Sequence, residues 1–153
     1  MDSTAGCDRA APTLLVRRAV PAGEQHVTLL LRDVPVDPPE VADLIRHHGV
    51  FVLADLTLPL SERPVAAAAF RYHRQTASAQ LAGIGVPVTL RRRGLGGRLL
   101  TGALTLLRAE GFVLVHASAA SGGAGASLLA SAGFTADHET ARADRRSRFV
   151  LLL

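Results

Sequence analysis

The chain has 153 residues, 48% hydrophobic and 20% charged, which excludes a broadly disordered protein and fits one domain burying about two-thirds of its unfolded surface. Its 17 basic residues are all arginine and outnumber 13 acidic ones, for a net charge of +4. With 4% aromatic residues and no tryptophan a base-stacking surface is disfavoured, and the arginines crowded into residues 91–98 favour a small anionic ligand, so no nucleic-acid partner is expected.

Met1 to Pro12 is small and polar and reads as a flexible tail, leaving 13–153 as a single domain. The tail lacks the basic start and apolar core of a signal peptide, and no apolar run approaches the ~18 residues of a membrane span. A cytoplasmic protein without a membrane partner is the expectation. The one cysteine, Cys7, lies in the tail and can form no internal disulfide.

Thr13 to Val20 is rich in apolar and β-branched residues and stops at Pro21, which predicts the first strand. Glu24 to Leu31 suggests a short helix through Val27, Leu30 and Leu31. A second helix should start at Asp37-Pro38-Pro39-Glu40, with Asp37 as its cap, and run from Pro38 to His48. Val41, Leu44 and Ile45 form its buried stripe, and Gly49 ends it. Val50 to Asp55 reads as a strand and Thr57 to Arg63 as a loop. Val65 to His73 and Thr76 to Val86 read as a hairpin with a two-residue turn at Arg74-Gln75, which puts Arg71, His73, Ser78 and Gln80 on one face.

Gly94 to Glu110 is the strongest helix, with Leu95, Leu99, Leu100, Ala103 and Leu107 on one side and Gly111 at its end. Phe112 to His116 reads as a buried strand. Ser121 is placed to cap a helix from about Ala124 to Ala132, which Gly133 ends. Phe134 to Leu153 divides into two strands around a polar turn at Ala141 to Arg146. The order β-α-α-β-β-β-α-β-α-β-β describes an α/β sheet with helices on both faces.

Between the hairpin and the strongest helix lies Val86-Pro87-Val88-Thr89-Leu90-Arg91-Arg92-Arg93-Gly94-Leu95-Gly96-Gly97-Arg98. A glycine-rich turn that opens a helix is built to hold phosphate. Its backbone N–H groups can approach closely, the helix start is electropositive, and arginines neutralise charge. Without Gly-Lys-Ser/Thr, the turn cannot be a Walker-type nucleotide site.

With this order and this turn, the chain resembles the GNAT superfamily of acyl-CoA-dependent N-acyltransferases. The resemblance spans Thr13 to Leu153. It is sharpest at Arg91-Arg92-Arg93-Gly94-Leu95-Gly96, which matches the family's Arg/Gln-x-x-Gly-x-Gly/Ala turn, and at Gly133-Phe134 after the last helix. It implies a mixed central sheet of about six or seven strands, helices on both faces, and strands splayed at the cofactor site. The implied cofactor is acetyl-CoA or another acyl-CoA. Arg91, Arg92, Arg93, Gly94, Leu95, Gly96, Gly97 and Arg98 would hold its pyrophosphate, and Ile84, Gly85 and Val86 would pair with its pantetheine arm. The partner would be an amine-bearing acceptor, and the chain a monomer or a homodimer.

Amine attack on a thioester needs a neutral amine, an oxyanion held by N–H groups, and often an acid for the thiolate. By the resemblance, the position of the glutamate base in the histone-acetylating branch falls on Gln80. The frequent tyrosine acid falls on Leu129, and the common asparagine on Gly122. His116, at the end of the strand bordering the pantetheine gap, and His73, about 13 Å from Gln80 by strand rise, are the candidate bases. Asp55 and Glu62 could instead bind a cationic substrate. His47 and His48 point in different directions on a helix, so no metal site is expected. A non-catalytic CoA- or partner-binding domain, or other CoA-linked chemistry, is the alternative.

Overall fold

Short apolar runs separated by two strongly patterned helices set the architecture. The computed structural model describes residues 13–91, 93–120, 122–137 and 146–153. Its strands and α-helices run β1 (Leu14–Arg18), α1 (Glu24–Leu30), α2 (Pro38–Arg46), β2 (Val50–Asp55), β3 (Pro64–His73), β4 (Ser78–Gly85), α3 (Leu95–Ala109), β5 (Leu114–Ala120), α4 (Ala124–Ser131), β6 (Thr135–Asp137) and β7 (Arg146–Leu152). This is the expected order. The tail at 1–12, Arg92, the Ser121 cap and most of the expected final turn, at 138–145, lie outside the described residues.

One seven-stranded sheet, ordered β1-β2-β3-β4-β5-β7-β6, carries the fold. Every pairing is antiparallel except β4 with β5, which α3 joins as a crossover. The centre of the sheet is covered on both sides. Ala66, Ala68 and Phe70 of β3 join Leu99, Leu100, Ala103 and Leu107 of α3 in one core. Ala67 and Ala69 face the other way, against Val27, Val41, Leu44 and Ile45 of α1 and α2. Alanine is a weak strand former, yet Ala66 to Ala69 are all fully buried, because small side chains on both faces let the helices come close.

Four local expectations are corrected. The β3–β4 turn takes four residues, Arg74 to Ala77, with Ala77 in the left-handed region at φ 51°. His73 therefore pairs with Ser78 and Arg71 with Gln80, a shift of two that keeps the expected side chains on one face. Asp37 sits at the cap of α2 but makes no capping hydrogen bond, and Glu40 is drawn away to Arg71. α2 ends before His48, which adopts φ 62°, while Gly49 is needed because a Cβ there would meet the Phe70 carbonyl oxygen at 2.5 Å. Finally, β5 runs on to Ala120, since pairing with β7 continues through Ala117-Ser118-Ala119-Ala120.

Candidate active site

The parallel pairing of β4 with β5 lasts for three rungs, Ser78 with Leu114, Ala79 with Val115 and Gln80 with His116, and then stops. The cause lies on the other side of β4. Pairing with β3 slips between Ala69 and Phe70, so that Phe70 faces Leu81, Ala69 faces Gly83, and Ala82 is left over. Such a bulge bends its strand and increases its twist. Beyond it, β4 and β5 diverge around a cleft of about 160 Å³ lined by Leu81, Gly83, Ile84, Ala117, Ser118 and Ala119, with Leu128 and Leu129 of α4 above it. Beyond the Gln80–His116 rung the ladder between the two strands does not continue. Their facing main-chain groups can therefore pair with an extended ligand.

The glycine turn adjoins this cleft through Leu128, which lines it and lies next to Gly96 and Gly97. Gly94 precedes α3 at φ 73°, a conformation that favours glycine. A Cβ at Gly96 or Gly97 would meet no atom closer than the Leu128 methyls at 3.6 and 3.7 Å, so packing does not require these two glycines. They leave an open cradle at a helix start, which fits a phosphate group approaching the backbone. Gly83 and Gly85 differ. A Cβ at Gly83 would meet Val34 at 2.6 Å, and one at Gly85 would overlap the Leu30 carbonyl, so both are closed off by the α1 end and the segment after it. Ile84 lines the cleft, and Val86 packs beside Gly96.

Among the arginines, Arg91 turns back: its Nε donates to the Val86 carbonyl at 3.0 Å and its guanidinium lies 3.9 Å from Asp33. It braces the turn. Arg93 and Arg98 are exposed, and Leu95 is half-buried.

His73 and His116 come together across β4. Their rings stack with centroids 5.9 Å apart and planes 12° from parallel, on the face opposite α3 and α4. The expected separation of His73 from this centre is corrected, because the four-residue turn moves His73 two residues along β4. His116 sits on the last parallel rung, at the apex of the cleft. Burial, with lesser contributions from the Arg148 and His73 charges, holds its imidazole below the ordinary histidine range. It is thus neutral and able to accept a proton at neutral pH.

Other titratable groups are tied into the structure. Tyr72 donates to the His48 carbonyl at 2.6 Å, packs on Phe112, and has its pKa pushed up to about 12, mainly by burial. The Asp55 carboxylate accepts from the Thr57 N–H and hydroxyl at 3.0 and 2.6 Å, a local turn at the opposite end of the sheet from His73. α4, where the resemblance led one to look for an acid, carries no titratable side chain. Among the described residues, no group of three or more His, Cys, Asp or Glu could hold a metal ion, and no helix is long and apolar enough to cross a membrane. The bulge at Ala82 gave no signal in the sequence, nor did Arg148, which lies opposite Ser118 beside the cleft.

A mixed sheet opened between its parallel strands, helices on both faces, and a glycine turn beside the cleft together define the GNAT class of acetyltransferase fold. The acetyltransferase (GNAT) family model matches residues 23–134, and the chain belongs to that family. No curated protein matches the sequence at a significant level. Among solved structures, the chain is similar to Ard1 from Thermoplasma volcanium, with 15% identity, a TM-score of 0.72, and coverage of 92% of this chain and 97% of that one. A ribosomal-protein-alanine N-acetyltransferase from Brucella melitensis gives 17% identity, a TM-score of 0.68, and coverage of 91% and 99%. A chain of the NatC complex bound to Gag peptide and CoA gives 13% identity, a TM-score of 0.71, and coverage of 92% and 98%.

Proposed function

We propose that the protein transfers an acetyl group from acetyl-CoA directly to the nitrogen of an amine, with His116 as the general base. The observation that carries this reading is the cleft: β4 and β5 part beyond the His116 rung, and its Leu128 wall borders Gly96 and Gly97 at the start of α3. The N–H groups of the first turn of α3 would hold the pyrophosphate of CoA, helped by Arg93 and Arg98. The free edges of β4 and β5 would hold its pantetheine arm. The amine approaches from the open face, where His73 stacks on His116. As the new N–C bond forms and the thioester C–S bond breaks, the His116 imidazole takes the amine proton and CoA leaves as thiolate.

Calorimetry and a thiol-release assay test this. Acetyl-CoA should bind, and Gly96→Val and Gly97→Val should each lower affinity at least about tenfold while leaving the fold intact, because both side chains would project into the cradle. Binding that is absent, or indifferent to both substitutions, refutes the reading. One observation favours a second reading, a CoA-binding domain that transfers nothing: α4 offers no acid for the leaving thiolate. Thiol release that depends on an added amine excludes that alternative.

A further inference from the structure

We infer that the acceptor carries an anionic group close to its amine and that Arg148 binds this group, making Arg148 a specificity-determining residue. The inference rests on the acyltransferase reading above.

Placement comes first. Phe149 lies in the core under α3 and α4, so its neighbours Arg148 and Val150 face the other way, with their partners Ser118 and His116. Arg148 is thus exposed on the same face as His116, roughly 7 Å further along the strand, directly across from a residue that lines the cleft. An acceptor whose amine reaches the cleft apex presents its neighbouring atoms to this guanidinium.

Charge points the same way. Around the histidines and Arg148, the other titratable groups on this face include Arg71, Glu40, Asp37, which acts on Arg71, and Asp137, while Arg17 of β1 shares the face at the far edge of the sheet. Arg71 and Glu40 are joined by two hydrogen bonds at 2.6 and 2.9 Å and cancel each other. Asp137 is the β6 partner of Arg148, on the side away from the cleft. Between the histidines and Arg148 no described carboxylate intervenes, so nothing there recognises an ammonium ion. A positive field disfavours the protonated amine and so favours the neutral nucleophile that transfer requires. Such a field also repels a purely cationic substrate, so net attraction must come from an anion on the acceptor. A guanidinium pairs with either a carboxylate or a phosphate through two parallel hydrogen bonds.

The test is acetyl transfer by the full chain to matched amines: glutamate against glutamine, β-alanine against β-alaninamide, O-phosphoethanolamine against ethanolamine, and spermidine as a cationic member, with products read by mass spectrometry. The best acceptor should be an anionic member, preferred by about tenfold or more in kcat/KM over its neutral counterpart. Whether carboxylate or phosphate wins identifies the anion. Arg148→Ala should raise the KM for that acceptor about tenfold or more while leaving acetyl-CoA affinity within about twofold, Arg148→Lys should restore part of the loss, and Arg148→Glu should turn preference toward spermidine. Equal use of charged and neutral partners, preference for spermidine by the unaltered protein, or an Arg148→Ala defect confined to acetyl-CoA affinity would each overturn the inference and spare the acyltransferase reading. Acetyl-CoA binding without transfer to any amine would instead bring down both.

Discussion

His116 owes its place to strand register and its proton affinity to its surroundings. Burial disfavours its imidazolium form, and Arg148 and His73 add to the effect. As the proposed base, His116 must be neutral, so kcat/KM, which rises with the acceptor amine's own titration, should show a second acid limb below the ordinary histidine value of 6.5, where His116 gains its proton. His73→Ala removes one source of positive charge, so it should move this acid limb upward. His116→Ala should cost about 10²–10⁴ in kcat and abolish the limb. A pH profile of amine-dependent thiol release checks both. An unmoved limb in His73→Ala would mean that the stacked ring contributes packing alone, and an unchanged limb in His116→Ala would mean that the base lies elsewhere. The proximity of the two histidines was hidden at the sequence level. It depends on a four-residue turn whose left-handed position is filled by Ala77, where no glycine, asparagine or aspartate marks the conformation.

Elements explain the glycines better than motifs do. In the strand-turn-helix unit, a Cβ at Gly96 or Gly97 would make only ordinary van der Waals contact with Leu128, at 3.6 and 3.7 Å, whereas Gly85 and Gly102 face the Leu30 carbonyl and the Val16 side chain too closely for one. Gly102→Ala should therefore destabilise by about 1–3 kcal/mol through overpacking against β1. Gly96→Ala should cost nothing in stability and gain up to about 1 kcal/mol, since alanine loses less backbone freedom in a helix. Chemical denaturation measures both. Equal losses would show that the cradle glycines are packing glycines after all. The two helices Pro38–Arg46 and Leu95–Ala109 were legible from the sequence because each has a buried stripe at helical spacing, whereas α1 and α4 bury one residue each, Val27 and Leu129, and α4 is marked chiefly by its stop at Gly133. The far half of β5 was not, because Ala117 to Ala120 is too small and too weakly patterned to read as a strand and is held there by β7. The bulge was equally silent, since Ala82 is unremarkable until β3 is laid beside it. Removing it is informative. Deleting Ala82 leaves Ala69 opposite Gly83 and Phe70 opposite Leu81, so the outer register survives while the bend is lost. The deleted protein should fold with at least its original stability, yet bind acetyl-CoA about tenfold or more weakly in calorimetry. Undiminished binding would detach the cleft from the bulge.

On the scale of the whole molecule, the sheet is firm in the middle and open on one side of it. β1 to β3 lie between two cores, whereas β4 and β5 share three rungs and then part. Local opening free energies should follow this division, since amides without a strand partner exchange most readily. Along β4 and β5 alternate main-chain groups point into the cleft, the others being held by β3 and β7. Hydrogen exchange at single-residue resolution should therefore show an alternation over Leu81–Ile84 and Ala117–Ala120, with slow amides between fast ones, and uniformly slow exchange in Val50–Leu53 and Ala66–Phe70, which are fully buried. Saturating acetyl-CoA should slow the fast members of both strands together, along with the first amides of α3. A ligand present at about 100 times its Kd stabilises by about 2.7 kcal/mol, which for a domain of this size corresponds to a rise in Tm of about 5–11 °C. The joint response is the discriminating feature. Protection confined to α3 would describe a phosphate site without a pantetheine channel, and protection of the strands without α3 would mean that the glycine turn serves the fold rather than the ligand.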